Sequence, residues 1–385
     1  MKKLLIFFYN LNNYSETFIS DEIEYIKNEK SFQTTLLHYG ASDKDKSTIG
    51  LNIPNNFIAR CIKSPRSLNL KLLKHRNGNR FVLQYLIKFF QKNQFDLIYC
   101  HFGPNGKLIA ELKHLGYIPP TTELVVRFHG MDLVKKVYPR GYYQLFRNYA
   151  NILIVGTEYA RSLLMGYDIP ARKIVTIPVG IKAKFLSSKL ARRKSDDVWN
   201  LISVGRLVEF KGHLEAIEVM RVLRRDGIKF KYTIIGSGPL RYQIGRLLEK
   251  YLLRPFVDIL SPVPHQTTLQ LISECDVYIH AGITDRNGRE ETQGLANIEA
   301  MAAGLPIISS PVGGVSDYVI DNYTGFICES RNCEEFAGKI RWVMENYNTR
   351  HLTMIRTNAV NLIKKNYTQE VLNARLVEIL LSPER

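Results

Sequence analysis

The sequence predicts an α/β chain of two parallel-sheet domains, and three observations carry that expectation. The chain has 385 residues, more than one hydrophobic core usually serves, so two domains of about 150–200 residues are the natural division. Short apolar runs rich in β-branched and aromatic side chains alternate with helical patterns throughout, as parallel strands joined by crossover helices require. A polar, charged segment, "SSKLARRKSDDV" at 187–198, separates two complete series of this kind. We place the linker near 180–198 and the domains at 1–185 and 186–385.

In the first series the strand candidates are 3–9, 34–38, 96–100, 124–128 and 152–155, with helical patterns at 17–28, 80–92 and 142–149. In the second the strands are 200–204, 231–235, 257–260, 276–280, 306–309 and 326–328, with helices at 213–226, 240–252, 267–274 and 295–303. The tail, 352–380, reads as two helices that pack on the second domain or cross back to the first. Both halves are Rossmann-like. In open parallel sheets ligands bind beyond the carboxyl ends of the strands, so chemistry is expected in a cleft between the domains.

Composition excludes several classes. No apolar run reaches the roughly 18 residues of a membrane span, and "MKKLLIFFYNLNN" reads as a buried first strand instead of a signal peptide. Five cysteines, at 61, 100, 275, 328 and 333, lack paired metal spacing and fit a reduced, cytoplasmic compartment. The net charge of +17 is uneven: residues 1–190 carry 28 Lys/Arg against 13 Asp/Glu, and the rest 25 against 23. No acidic residue lies between Asp45 and Asp96, where Arg60, Lys63, Arg66, Lys71, Lys74, Arg76, Arg80, Lys88 and Lys92 alternate with apolar side chains. Such a field attracts phosphates, of nucleic acid or anionic lipid; a plain solvated basic surface is the simpler alternative.

Three motifs could carry chemistry. "YTIIGSGPL" at 232–240 places Gly236 and Gly238 after a strand, but the third glycine of a dinucleotide fingerprint is Arg241 here. A GxG alone lets a ligand approach the backbone or simply makes a tight turn. "LISVGRLVEFKGH" at 201–213 ends a strand at Gly205 and projects Arg206 and Lys211 from the following loop; a planar fork and a mobile point charge together suit a diphosphate. "REETQGLANIEAMAAGLPIISS" at 289–310 sets Glu291 before a helix and Glu299 one turn inside it. The free N–H groups near Gly294 and Leu295 favour an anion, and Glu299 could accept hydrogen bonds from a vicinal diol. Either glutamate alone reads as an ordinary helix residue. Their spacing with Arg206 and Lys211 suggests a diphosphate between two polyhydroxyl rings, which is a nucleotide sugar.

The pattern Glu-x7-Glu in "ETQGLANIEAMAAGLPII", with "VGRLVEFKG" before it and "VGGVSDYV…TGF" after it, resembles the retaining glycosyltransferase family 4, which has the GT-B fold. The resemblance covers nearly the whole chain and is strongest over 200–330. It implies that Arg206 and Lys211 bind the donor diphosphate, with Gly205, Gly236 and Gly238 in the loops around it. Glu299 then binds the ribose, Glu291 the donor sugar, and the backbone at Gly294 and Leu295 phosphate or sugar oxygens. "VVRFHGMD" resembles the segment whose histidine faces the donor sugar, which assigns His129. Catalytic weight therefore falls on His129, Arg206, Lys211 and Glu291. "SETFISDEI" and "IYCHFGPNG" resemble a subgroup building bacterial surface polysaccharides (exopolysaccharide, O-antigen, capsule), which puts Ser15, Glu16 and His101 on the acceptor side. Two departures stand out: the family's "GFG" is Thr292-Gln293-Gly294, expected to alter sugar recognition, and the Pro-Glu after the paired glycines is Ser316-Asp317, expected to trim a helix cap.

The resulting expectation is transfer of a hexosyl group from a UDP- or GDP-sugar to a polyprenyl-diphosphate-linked or other glycan acceptor, with retention. Leaving-diphosphate charge is neutralised by Arg206, Lys211 and the helix start. No side chain qualifies as a nucleophile, so the mechanism the resemblance implies, with the acceptor attacking on the face the diphosphate leaves, suits this sequence better than a covalent glycosyl-enzyme. Replacing Lys211 or Glu299 by Ala should stop transfer with the fold intact. The only DxD, Asp43–Asp45, lies in a polar loop, so no metal or other cofactor is expected. A basic first domain suits docking on the inner face of an anionic membrane. A non-transferring GT-B protein such as a sugar-nucleotide epimerase remains an alternative, as does a basic nucleic-acid-binding protein; the sequence offers neither extra acid/base residues nor a reader motif for them.

Overall fold

The computed structural model describes residues 1–9, 17–39, 48–50, 77–134, 136–186, 190 and 198–383. Ser15, Glu16, the Asp43–Asp45 pair, the basic stretch from Arg60 to Arg76 and most of the charged linker lie outside the described residues. The chain forms two units, Met1–Pro178 with Leu372–Arg385, and Val179–Val371.

The first unit contains β1 (Lys2–Phe8), α1 (Thr17–Asn28), β2 (Phe32–His38), β3 (Thr48–Gly50), α2 (Asn77–Lys92), β4 (Leu97–His101), α3 (Gly103–His114), β5 (Glu123–Arg127), α4 (Phe146–Tyr149), β6 (Ile152–Val155), α5 (Glu158–Met165) and β7 (Ile174–Thr176). Among the described residues its strands form one parallel sheet in the order β3-β2-β1-β4-β5-β6-β7. β1 shows why a continuous apolar run makes such a strand. Leu5 and Phe7 enter the core on one face, with α2 and α3, while Leu4, Ile6 and Phe8 enter the core on the other, with α1. A strand covered on both faces has no polar side to show.

The second unit repeats the plan with β8 (Trp199–Val204), α6 (His213–Arg225), β9 (Phe230–Ile235), α7 (Arg241–Lys250), β10 (Val257–Leu260), α8 (His265–Ser273), β11 (Val277–His280), α9 (Leu295–Ala302), β12 (Ile307–Ser309), β13 (Phe326–Ile327), α10 (Cys333–Asn346) and α11 (Arg350–Asn366). Its sheet runs β10-β9-β8-β11-β12-β13, all parallel. Leu201 and Ile202 of β8 divide between its two cores. Each sheet reverses its strand order once, between β1 and β4 and between β8 and β11, and loops beyond the strand ends diverge there to leave room for a ligand.

The chain passes between units at Pro178–Val179, earlier than the expected 185/186, because hydrogen bonds tie the next residues to the second unit: Ile181 N–H donates to Tyr367 O at 2.8 Å and Gln369 N–H to Ile181 O at 2.8 Å. α12 (Gln369–Leu381) then returns to the first unit, burying Leu372, Leu376, Val377 and Leu380 with β1 and α1. Among the described residues no helix is long and apolar enough to cross a membrane.

Candidate active site

In the second unit the candidate residues gather at the reversal of strand order. β8 ends at Val204, and Gly205 and Arg206 turn away from it. A Cβ on Gly236 would lie 1.9 Å from the Gly205 carbonyl oxygen, and one on Gly238 would lie 2.5 Å from that of Leu207. The GxG after β9 therefore lets two strand-end loops lie on each other, with Leu207 N–H donating to Ser237 O at 2.8 Å. Arg206 is exposed and its guanidinium carbon lies 6.0 Å from the Phe210 ring centre. A 3-10 turn, Glu209–Lys211, leads into α6, and the Lys211 stem lies along Gly205.

Lys211 Nζ ion-pairs with Glu291 Oε2; their side chains are 15% and 9% exposed. Burial pushes the Glu291 carboxyl up, but Lys211, helped by His280 and Arg206, outweighs it and holds the carboxyl below the usual range. His280, at the end of β11, places Nε2 3.8 Å from Glu291 Oε2, while its Nδ1 lies 3.0 Å from Ser309 Oγ. Burial lowers His280 to about 4. His213, first in α6, is lowered to about 4 by burial, with Lys211 and His280 adding to it. Both rings are neutral at physiological pH.

The loop before α9 is fixed from several sides. Gly294, at φ +77°, occupies the left-handed region that glycine adopts readily, and a Cβ there would sit 2.8 Å from Tyr318 Oη. Tyr318 Oη donates to Gln293 O at 2.5 Å and accepts from Asn297 Nδ2 at 3.0 Å. No side chain caps α9, so its first N–H groups, beginning at Leu295, are open to an anion. One turn on, Glu299 Oε1 meets His265 Nε2 at 2.7 Å, and the His265 ring stands edge-on to Phe185. Ser316 and Asp317 belong to a 3-10 turn, Gly313–Asp317, with Gly314 N–H donating to Glu291 O at 2.9 Å.

Gln293 does something the sequence did not suggest. Its Nε2 donates to Val179 O at 2.7 Å and its Oε1 accepts from Val179 N–H at 2.8 Å. The central residue of "TQG" thus grips backbone where the chain enters this unit, so its buried side chain is committed to the protein and not to a sugar.

In the first unit, His129 follows β5. Its Nε2 lies 3.1 Å from Nδ1 of His101, the last residue of β4, with the rings stacked at 5.4 Å. Asp132 orders this corner: Oδ1 accepts from His129 N–H at 3.0 Å and Oδ2 from Gly103 N–H at 2.9 Å. Burial raises Asp132 to about 6 against those hydrogen bonds, lowers His101 to about 3 and holds His129 well below its usual value. The expectation that His101 faces an acceptor is corrected here: its side chain is fully buried beneath His129. Behind it lies Glu22, whose Oε2 pairs with Arg127 Nη1 at 2.9 Å and whose Oε1 accepts from Tyr99 Oη at 2.5 Å. Sequence reasoning missed Glu22, Arg127, Asp132, His265 and His280. Arg127 and Asp132 left a trace, as charged residues inside the apolar run "LVVRFHGMD". Among the described residues no group of three or more His, Cys, Asp or Glu could hold a metal ion.

Comparison with known proteins gives this geometry its context. The family model described as "Glycosyl transferases group 1" matches residues 188–360, and the model "Glycosyltransferase Family 4" matches 31–185. The chain belongs to glycosyltransferase family 4. This glycosyltransferase is 27% identical over 319 residues to WcaL of Escherichia coli, a glycosyltransferase assigned to colanic acid biosynthesis, covering 82% of this chain and 77% of that protein. It is 30% identical over 250 residues to the amylovoran biosynthesis glycosyltransferase AmsK of Erwinia amylovora, covering 63% and 60%. A glycosyltransferase from Rickettsia africae superposes with TM-score 0.75 at 18% identity, over 99% of this chain and 98% of that one. Anabaena HepE, solved with UDP-glucose, gives 0.72 at 15%, over 99% and 100%. The fold is GT-B.

Proposed function

We propose that this glycosyltransferase moves a hexosyl group, with retention, from a UDP- or GDP-sugar to a lipid-linked oligosaccharide during synthesis of a bacterial surface polysaccharide. The observation that carries the reading is the convergence of Arg206, the Lys211–Glu291 pair and the open start of α9 at the reversal of strand order in the second unit. Arg206, Lys211 and the α9 N–H groups receive the diphosphate and neutralise the charge that grows as it leaves, without a metal. Lys211 must exchange part of its contact with Glu291 for phosphate, freeing Glu291 Oε2 to take a sugar hydroxyl. Glu299 turns from His265 to the ribose. His129 positions the donor sugar, and the acceptor attacks on the face the diphosphate vacates. The names of WcaL and AmsK support an exopolysaccharide pathway, and the UDP-glucose bound to HepE supports a uridine donor. Docking on the inner face of the membrane through the basic first half belongs to the same reading.

Thermal-shift screening of UDP- and GDP-sugars selects the donor, since a bound ligand stabilises by mass action. Incubation with membrane-extracted glycolipid acceptor, with and without EDTA, then yields product whose anomeric proton is read by NMR. The proposal expects EDTA-insensitive transfer with the donor's anomeric configuration kept. An inverted product, or an epimerised donor with no transfer, would sink it.

A further inference from the structure

We infer that Glu22 and His101 are positioning residues that hold His129 in a single tautomer, with the proton on Nε2 and the lone pair of Nδ1 available to a ligand. The chain of contacts starts at Arg127. Its buried guanidinium binds Glu22 Oε2 at 2.9 Å through Nη1, and Nη2 donates to the Ile177 and Pro178 carbonyls at 3.1 and 2.9 Å. Burial raises the Glu22 carboxyl, but the Arg127 guanidinium, which stays charged in proteins, and the Tyr99 hydrogen bond oppose that rise and favour the carboxylate form. Glu22 Oε1, which accepts from Tyr99 Oη, also lies 3.6 Å from His101 Nε2.

An ionised carboxylate can only accept. A ring nitrogen facing it in a buried interior is favoured as N–H and opposed as a lone pair, and low dielectric magnifies the difference. His101 is therefore protonated on Nε2. The ring is fully buried and carries one proton at neutral pH, in line with its depressed pKa, so Nδ1 is bare. That bare nitrogen stands 3.1 Å from His129 Nε2. Two lone pairs do not meet at hydrogen-bond distance, so His129 Nε2 is the donor. With the His129 ring neutral, its Nδ1 becomes an acceptor. The Asp132 bond to the His129 backbone and the flanking rings of Phe18 and Phe102, at 5.4 and 4.6 Å, restrict the imidazole in this pose.

The consequence for specificity rests on the proposed role of His129 at the donor sugar: this histidine takes a hydrogen bond from a hydroxyl and gives none. A donor carrying fluorine in place of that hydroxyl loses the bond, because fluorine has no proton to offer.

The test separates the tautomer from its use. In full-length protein labelled with 15N-histidine, and assigned with His129→Gln, long-range proton–nitrogen correlations distinguish a bare ring nitrogen from N–H. We expect His129 Nδ1 bare and Nε2 protonated. His101→Asn keeps an oxygen acceptor in the position of Nδ1, so it should preserve this pattern and keep transfer within about threefold. His101→Phe removes the acceptor; it should mix the tautomers and lower kcat about tenfold to a hundredfold, with KM for the donor changing less. Thermal denaturation identifies variants that fail to fold, and His101→Asn still tests the inference if His101→Phe is one of them. A protonated Nδ1 in the wild-type protein overturns the inference, and so does an unchanged pattern in a folded His101→Phe. If the tautomer shifts while transfer stays at the wild-type rate, the tautomer assignment stands and the role of His129 at the sugar falls.

Discussion

Removing the Lys211 ammonium should weaken the second unit as well as stop transfer, and the structure sets the size of the effect. Lys211→Met keeps the stem that lies along Gly205 and deletes the charge on Glu291 Oε2. The carboxylate left behind is 9% exposed. Removing one partner of a buried pair costs about 3–5 kcal/mol, and the partial exposure of Lys211 argues for the lower end, about 3 kcal/mol. For a unit of this size that lowers Tm by about 6–12 °C. The pH dependence has a defined sign. In the wild type Glu291 is held below its ordinary value of 4.5, so the pair's stabilisation is present above that value and lost as pH falls through the lower folded pKa. Without Lys211, burial dominates and raises the carboxyl, so the variant's deficit is largest near pH 7 and shrinks toward pH 5. Scanning calorimetry at both pH values, without nucleotide, reads this directly. Lys211→Met with Glu291→Gln should recover most of the loss, because no buried charge remains. A single variant that melts within about 1 °C of the wild type at pH 7 refutes the reasoning.

Two further predictions follow from buried polar groups. Gln293→Ala strands both backbone groups of Val179 and should cost about 1–3 kcal/mol of the second unit's stability by calorimetry, while Gln293→Glu, which keeps only the acceptor, should be no better. On acidification, His213 and His280, folded near 4 against an ordinary 6.5, contribute stability that is present above 6.5 and lost as pH falls toward 4, on the order of 3 kcal/mol each. In the first unit His101 acts in the same direction, but Asp132, raised to about 6, opposes it, because its contribution is present below its ordinary 3.8 and lost as pH rises through 6. Urea unfolding from pH 7.5 to 4.5, followed separately for each unit, should therefore show the second losing midpoint steadily and Asp132→Asn steepening the loss in the first.

Much of this architecture is legible in the sequence because doubly covered strands leave a plain mark. "LLIFF" in β1 and "LVV" in β5 are apolar without alternation, and the turn residues between such runs delimit the crossovers. α3 is not legible in this way. It is buried from Gly103 to Lys113, with even the paired Lys107 and Glu111 withdrawn from solvent, and it begins "GPNG", which reads as a loop. Arg206, Lys211, Glu291 and Glu299 were legible as candidates because they form a spaced pattern, and the fold brings Lys211 and Glu291 into contact. Glu22 was not, because a glutamate in "SDEIEYIKNEK" looks solvated, and only the fold brings it to Arg127, 105 positions away in the chain. Gln293 marks the limit from the other side. Its departure from the family pattern is visible, but its partner is backbone at Val179, which carries no side-chain signature.

The most direct test of the account is calorimetric titration of UDP and GDP, without metal, into the wild-type protein and into Arg206→Ala and Glu299→Gln. The account predicts saturable one-to-one binding of one of the nucleotides, weakened at least about tenfold by each substitution with Tm of the free protein nearly unchanged. Equal affinity across all three proteins would contradict it.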